Sequence, residues 1–195
     1  MSSKSTRPIQ LRISLAEITP RIWRRVLVSP DTSLDQLHAM IQLLFSWYDY
    51  HLYEFSFKDR RFQAPDTESD AEDATQVTLR ALRLKPGDSI EYTYDFGDDW
   101  LHQIEVEPAT DFRDMNATPW LIDGERCGPP EDCGGPHRYM ELLGALDQPL
   151  EDLEDESRAL VEWAGPNYDP EDFSVEQTRH ALILFSRWGL TEEMS

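Results

Sequence analysis

The segment 91–107, EYTYDFGDDWLHQIEVE, alternates apolar and polar residues on both sides of Gly97. Such a period of two is typical of β-strands that bury one face. The acidic turn at Asp98 and Asp99 separates the two alternating runs, so a β-hairpin is predicted. Its strands are expected to bury two sets of side chains: Ile90, Tyr92, Tyr94 and Phe96 before the turn, and Trp100, His102, Ile104 and Val106 after it.

The same alternation predicts three strands ahead of this hairpin, over residues 9–15, 22–28 and 51–57. Pro20 separates the first two and favours a turn, which makes the opening of the chain a second hairpin. We expect Arg21, Arg24 and Arg25 on or near its exposed side, where their stems cover apolar surface and their charges stay in water.

Helices are predicted from capping signals and from apolar residues that recur on one helical face. Ser33 and Gln36 have the spacing of a capping box, which predicts a helix over residues 34–45. Thr78 favours a short helix, although the residues around it also fit a strand. Later helices are expected after Pro136, before Gly165, and between Ser174 and Gly189, the last with a second capping-box pair at Ser174 and Gln177.

The stretch between Phe62 and Leu79 contains several acidic residues and no basic one. Unbalanced like charge without apolar periodicity predicts a flexible acidic loop at about residues 63–76. The hairpins and helices together predict a single α+β domain over residues 1–195. Its mixed or antiparallel sheet is expected to be built from hairpins and to pack against several helices, since 195 residues suffice for a real core.

The formal net charge of −20 opposes contact with phosphate backbones, so direct nucleic-acid binding is not expected. An unknown small molecule or protein is the expected partner, with basic partners favoured. No apolar run approaches the roughly 20 residues that span a bilayer, and the first residues lack the apolar centre of a signal peptide. We therefore predict a cytoplasmic protein without membrane contact, in which Cys127 and Cys133 stay reduced.

Four segments, in this order, resemble the Ri-plasmid open-reading-frame-three-like family of bacterial proteins: IWRRVLV, LHAMIQLLFSWYDYHLYEF, YTYDFGDDWLHQIEVE and the PPEDCGG loop that precedes Tyr139. The resemblance extends from about Ile9 to the terminal helix. It implies a single α+β domain of roll-like architecture, an association with plasmids and mobile elements, and no particular reaction. Some members are labelled resolvases, but a serine recombinase clusters arginines around its serine, whereas the arginines here are scattered.

Aromatic residues and carboxylates concentrate in residues 47–53 and in the hairpin turn, which are predicted to flank a groove with the loop 129–132 as its lid. An alternative is a divalent metal held by Asp95, Asp98 and His102. Asp99 belongs to the same hairpin, and His51, or Glu131 and Asp132, are expected to approach it across the sheet as further ligands. In a third interpretation the aspartates cap turn amides while Trp100 and His102 pack in the core. The predicted ligand-binding residues are Trp47, Tyr50, His51, Asp95, Asp98, Asp99, Trp100, His102, Glu131 and Asp132.

A cytoplasmic binding or interaction module is the favoured function, because no complete catalytic set is present. The DFG at residues 95–97 is shared with protein kinases, but the glycine-rich loop, strand lysine and catalytic loop of a kinase are missing. The alternative is a metal-dependent phosphoester hydrolase at the hairpin, and apart from its divalent metal no cofactor is expected. Cys127, Cys133 and His137 lack the paired short spacings of a zinc site.

Overall fold

The computed structural model describes residues 7–65, 69–108 and 119–188. A mixed sheet of eight strands crosses this part of the chain. The strands are β1 Ile9–Leu15, β2 Trp23–Val28, β3 Tyr53–Phe57, β4 Arg60–Gln63, β5 Glu72–Asp73, β6 Ser89–Tyr94, β7 Trp100–Glu107 and β8 Trp120–Glu125. Their order across the sheet is β5-β4-β3-β6-β7-β1-β2-β8, and β4 with β5 is the one parallel pair among them.

The predicted central hairpin is the middle of this sheet. Strands β6 and β7 pair antiparallel with Tyr92 opposite His102, and β1 pairs along the other edge of β7 with Ile13 opposite Ile104. The predicted opening hairpin is confirmed as β1 and β2. Because β3 adds to the free edge of β6, the loop before β3 and the turn of the hairpin meet at the same end of the sheet.

Five helices complete the described fold, which is the predicted single α+β domain. The capping box of the first helix forms as predicted, with Ser33 Oγ accepting from the Gln36 amide at 3.1 Å. Ser174 Oγ likewise accepts from the Gln177 amide at 3.3 Å, whereas Gly189 lies outside the described residues. The helices are α1 Leu34–Phe45, α2 Leu79–Leu82, α3 Gly135–Leu146, α4 Asp155–Ala164 and α5 Val175–Trp188.

The main core lies between α1 and one face of the sheet. His38 and Phe45 of α1 meet the rings of Tyr92 and His102 on the two central strands. Tyr139 of α3 extends the same core beside Trp100. Large aromatic rings remove much apolar area from water. The buried aromatic side chains of β3, β6 and β7 therefore contribute a large share of the apolar surface area that the core buries. None of the described helices is long and apolar enough to cross a bilayer.

The prediction that the arginines of the opening hairpin lie on or near its exposed side is wrong for Arg24. It is only 1% exposed, because it has the same strand parity as Val26 and pairs with Ile13 of the core face. Its guanidinium donates to four backbone carbonyl oxygens at 2.8–2.9 Å and lies over the rings of Phe45 and Phe173. The acceptors are the carbonyls of Trp23, Leu44, Glu125 and Arg126.

Other predictions of local structure also need correction. Phe96 does not continue the buried face of β6, since Asp95 takes a left-handed φ of 57° and turns the chain outward. The prediction that the acidic stretch contains no regular element is wrong at β4, at β5 and at a 3-10 turn over Ala74–Gln76. Residues 66–68 of that stretch lie outside the described residues, and its flexibility stays a prediction. Strand β8 was not predicted.

Candidate functional site

The turn of the central hairpin is shaped by its own aspartates. Asp95 Oδ1 accepts from the Gly97 amide at 2.9 Å, and the Asp95 amide donates to the Leu52 carbonyl at 2.9 Å. Asp95 and Asp99 both have left-handed φ angles, which aspartate tolerates better than most residues. The turn therefore holds one carboxylate in a defined position against the loop that precedes β3.

The loop 129–132 forms hydrogen bonds to the 47–52 segment and to β6, and the residues that follow it bond to the turn. The indole of Trp47 donates to the Pro129 carbonyl at 2.9 Å. Glu131 accepts from the phenol of Tyr94 at 2.5 Å with one oxygen and from the amide of Tyr48 at 2.6 Å with the other. Asp98 Oδ2 accepts from the Gly134 amide at 3.0 Å, which joins the turn to the start of α3. The structure thus places this loop beside the 47–52 segment and β6, while its role as the lid of a groove stays a prediction.

These loops bring together His51, Asp95 and Asp132, which we call the histidine–aspartate cluster. His51 Nε2 lies 2.8 Å from Asp132 Oδ1 and 3.6 Å from Asp95 Oδ2. One donor atom from each residue lies within 4.8 Å of the other two. Asp95 is buried, His51 is partly exposed and Asp132 is exposed, so the cluster opens to solvent on one side.

Four exposed apolar side chains lie on the segments that carry this cluster: Tyr48, Tyr50, Leu52 and Phe96. We call them, together with the cluster, the aromatic–acidic face. Tyr48 and Tyr50 are 71% and 73% exposed, and their rings stack with centroids 5.7 Å apart. Phe96 is 51% exposed and directly follows Asp95. Large exposed apolar groups that neighbour one another are a mark of interaction surfaces.

His102 does not join Asp95 and Asp98, so the predicted metal triad is not assembled. Its ring is fully buried between Phe45, Trp47 and Tyr92, where Nδ1 lies 3.0 Å from the Trp100 carbonyl. Burial lowers the pKa of His102 to about 3, so it is neutral at pH 7. The parity of β7 dictates this outcome, because His102 shares its face with Ile104.

Trp47 and Trp100 are also core residues and do not line an open groove. Both are nearly inaccessible, and their rings lie 5.8 Å apart beneath the aromatic–acidic face. They support the loops from below. Asp98 is engaged by the Gly134 amide, and the Asp99 amide donates to the Asp95 carbonyl at 2.7 Å. Tyr50, His51, Glu131 and Asp132 are thus the predicted residues that the structure places around Asp95 at the surface.

A hydrogen-bonded chain that runs from buried Tyr92, Gln42 and His38 to the exposed Asp49 fixes the 47–52 loop and was not predicted. His38 Nε2 lies 2.8 Å from Asp49 Oδ1, and His38 Nδ1 lies 2.7 Å from the Tyr92 hydroxyl. That hydroxyl also accepts from Gln42 Nε2 at 3.0 Å, and Gln42 Oε1 accepts from the Asp49 amide at 3.2 Å. The sequence signal was only that His38 borders the apolar face of α1. Tyr48, Leu52 and Phe96 lie in the segments that were predicted to flank the groove, but they were not among the named ligand-binding residues, and Phe96 was expected to be buried.

The cysteine loop does not form a metal centre in the described part of the chain. Cys133 is buried, and burial raises the pKa of its thiol to about 12. Burial also raises the pKa of Cys127, whose amide donates to the Pro170 carbonyl at 2.8 Å. His137 is exposed on α3 and lies 3.5 Å from Glu141. Cys127, Cys133 and His137 are not among the metal-ligating side chains that converge within the described residues.

Two surface clefts occur away from the aromatic–acidic face. One is lined by Gln10, Arg25, Glu107, Pro108 and Ile122, and the other by residues of the first turns of α5. Neither includes a residue of the predicted groove. The aromatic–acidic face is thus better described as an exposed surface than as one of these clefts.

Comparison with known proteins connects this fold and site to a family. The sequence profile of the plasmid pRiA4b ORF-3-like proteins matches residues 7–177. The uncharacterized protein y4hQ of Sinorhizobium fredii (strain NBRC 101917 / NGR234) is 34% identical over 189 residues, which cover 93% of this chain and 94% of y4hQ. The crystal structure of MM3350, a protein of unknown function from Methanosarcina mazei Go1, superimposes with a TM-score of 0.75 at 30% identity, over 88% of this chain and 97% of MM3350. The chain therefore belongs to the plasmid pRiA4b ORF-3-like protein family.

Proposed function

We propose that this protein is an interaction module that binds a basic segment of a partner protein through the aromatic–acidic face. The observation that carries the proposal is the exposure of Tyr48, Tyr50 and Phe96 around carboxylates at one end of the sheet. Tyrosine and other aromatic residues supply much of the binding energy at protein interfaces. A surface of exposed aromatic side chains suits a protein segment better than an enclosed small molecule.

Charge complementarity selects a basic partner. The carboxylates of Asp95, Asp98, Glu131 and Asp132 lie within the hydrogen-bond network of the face. Among the described residues, no lysine or arginine forms an ion pair with any of these four carboxylates, in contrast to Glu107, which Arg25 neutralises. The chain as a whole carries a net charge of −20, which attracts cationic segments over longer distances.

Preorganisation of the loops supports the same function. The phenol of Tyr94, the indole of Trp47 and the imidazole of His38 each hold a loop of the face by a hydrogen bond of 2.9 Å or less. A surface that is already ordered loses less conformational entropy when it binds. Exposed aromatic rings can also attract lysine and arginine side chains through their π faces.

The proposal is tested by titrating a 15N-labelled sample with lysine- and arginine-containing peptides and with matched glutamate-containing peptides. We expect basic peptides to shift amide signals of residues 47–52, 95–99 and 129–134. Replacing Tyr50 and Phe96 together with alanine should weaken that binding at least about tenfold, whereas Trp163→Ala, which removes an exposed aromatic on α4, should not. Shifts located elsewhere, or equal binding by the two peptide classes, contradict the proposal.

A metal-dependent phosphoester hydrolase is the second candidate function. Its metal ligands would differ from the Asp95, Asp98 and His102 that were predicted from the sequence. His102 is buried, so the observation that favours an enzyme is the convergence of donor atoms from His51, Asp95 and Asp132. Carboxylates and an imidazole with open positions can hold a metal that activates water. The test is hydrolysis of bis(p-nitrophenyl) phosphate with added Mn2+. Activity that Asp95→Asn abolishes and Trp163→Ala retains would replace the binding module as the leading function.

A further inference from the structure

We propose that the histidine–aspartate cluster binds one divalent transition-metal ion through His51 Nε2, Asp95 Oδ2 and Asp132 Oδ1. A metal about 2.1 Å from each donor places neighbouring donors roughly 3.0–3.5 Å apart. The distances from His51 Nε2, 2.8 Å to Asp132 Oδ1 and 3.6 Å to Asp95 Oδ2, bracket this separation. The carboxylate oxygens of Asp95 and Asp132 lie within 4.8 Å of each other, so the exposed Asp132 side chain has to move toward Asp95 wherever that separation exceeds roughly 3.5 Å.

Asp95 offers one carboxylate oxygen that no other side chain or amide of the described residues occupies. The residue is only 8% exposed, and its Oδ1 is occupied by the Gly97 amide. Its Oδ2 has no hydrogen-bond donor in the described part of the chain, since His51 Nε2 at 3.6 Å is beyond hydrogen-bond range. Asp95 Oδ2 is not one of the buried side-chain atoms that lack a partner, so it faces solvent and is accessible to an incoming cation.

The supporting contacts favour a preformed site. The Gly97 amide orients Asp95, while the neighbouring Glu131 is held by both Tyr94 and Tyr48 and so places Asp132. Partners of this kind behind the ligands are typical of metal sites. The partial exposure of His51 and Asp132 leaves coordination positions open to water or to a donor atom of a bound molecule.

The donor set selects the class of metal. One imidazole and two carboxylates suit Zn2+, Co2+, Fe2+ or Mn2+ better than Ca2+, which prefers six to eight oxygen ligands. The inference rests on the proposed function, because it takes the aromatic–acidic face as the working surface of the protein. The metal then forms the centre of that face, with the tyrosines and Phe96 around it.

The inference is tested by titrating chelator-treated protein with Co2+ in physiological salt and recording the visible absorption. We expect one saturable Co2+ per chain in the wild type. Both His51→Gln and Asp132→Asn should weaken binding at least about tenfold while leaving the near-ultraviolet circular dichroism unchanged. The matched control is His137→Gln, which removes an exposed histidine that also neighbours a carboxylate, and it should bind like the wild type.

Equal Co2+ binding by the wild type and His51→Gln would overturn the inference, as would no saturable binding at all. A thiolate-to-cobalt charge-transfer band that Cys127→Ser or Cys133→Ser removes would also overturn it, because the metal would then lie at the cysteine loop. The peptide titration without metal distinguishes the two proposals. If Co2+ does not bind but basic peptides still depend on Tyr50 and Phe96, the metal site alone fails; if Co2+ binds as expected but peptides do not, the interaction function alone fails.

Discussion

The phenol of Tyr94 donates a hydrogen bond to Glu131 Oε1 across a distance of 2.5 Å. The same phenolic oxygen accepts from the Tyr50 amide at 3.0 Å, so one β6 side chain joins both loops of the aromatic–acidic face. Burial and the adjacent carboxylate raise the pKa of Tyr94, which keeps its phenol a proton donor at neutral pH. The surface loops therefore depend on a buried strand residue.

Tyr94→Phe should lower the free energy of unfolding by about 1–2 kcal/mol, because Glu131 loses a donor at a partly buried position. Amide exchange at Tyr48 and Tyr50 should become faster. Urea denaturation and hydrogen–deuterium exchange measure the two effects. The matched control is Tyr53→Phe, which removes a phenol that donates to Asp35 at 3.0 Å away from the face. If Tyr53→Phe accelerates exchange at Tyr48 and Tyr50 equally, the assigned role of Tyr94 is wrong.

Arg24→Lys should destabilise the fold by at least about 2 kcal/mol, although charge is conserved. An ammonium group cannot reproduce a planar guanidinium that reaches carbonyls on several segments, so buried carbonyls lose their donors. The neighbouring Arg25→Lys should cost less than about 1 kcal/mol, since its ion pair with Glu107 is partly exposed. Urea denaturation of the two variants gives the comparison. Similar costs for both would show that the buried carbonyl contacts of Arg24 contribute little.

His102 should make the protein less stable as the pH falls below 7. Its pKa is lowered from 6.5 to about 3 in the folded state, so between these values the unfolded chain binds a proton that the folded chain does not. Stability therefore rises with pH across this window. The loss between pH 7 and pH 5 attributable to His102 is about 2 kcal/mol, at about 1.4 kcal/mol per pH unit below the unfolded pKa.

His102→Phe should remove this part of the pH dependence, because phenylalanine fills a similar aromatic site and does not titrate. The measurement is the free energy of unfolding of wild type and variant at pH 7 and pH 5 in urea. Parallel pH profiles for the two proteins would mean that His102 takes up its proton in the folded state as well.

Gly135→Ala should destabilise the start of α3, whereas Gly144→Ala in the same helix should not. Gly135 has a φ of 82°, and a Cβ there would lie 2.4 Å from the Asp98 carbonyl oxygen of the hairpin turn. The combined strain and clash should cost at least about 2 kcal/mol. A Cβ at Gly144 meets nothing within 4 Å, so alanine should stabilise the helix by about 0.5–1 kcal/mol. Thermal unfolding of both variants checks the contrast; equal shifts would contradict it.

The sequence by itself determined most local structure through periodicity and capping. The alternation around Gly97 specified β6 and β7, and the capping box at Ser33 located the start of α1. These signals are readable because they involve residues close in the chain. The alternation of β7 also placed His102 on the buried face, and its packing in the core was one of the three interpretations, whereas Arg24 was expected near the exposed side of the opening hairpin. A polar residue can occupy such a face only if distant groups accommodate it, and the sequence does not show those groups.

Only the tertiary structure decided which distant residues meet. The buried guanidinium of Arg24 is satisfied by carbonyls from α1 and from the end of β8, which no local pattern reveals. Similarly, His51, Asp95 and Asp132 converge because β3 pairs with β6 and the loop 129–132 packs over the turn. Side-chain periodicity encodes which face is buried, whereas the choice of neighbouring strands depends on the packing of the whole chain. The histidine–aspartate cluster thus forms because of the order of the strands. The aromatic residues that surround it, in contrast, can be read directly from the sequence.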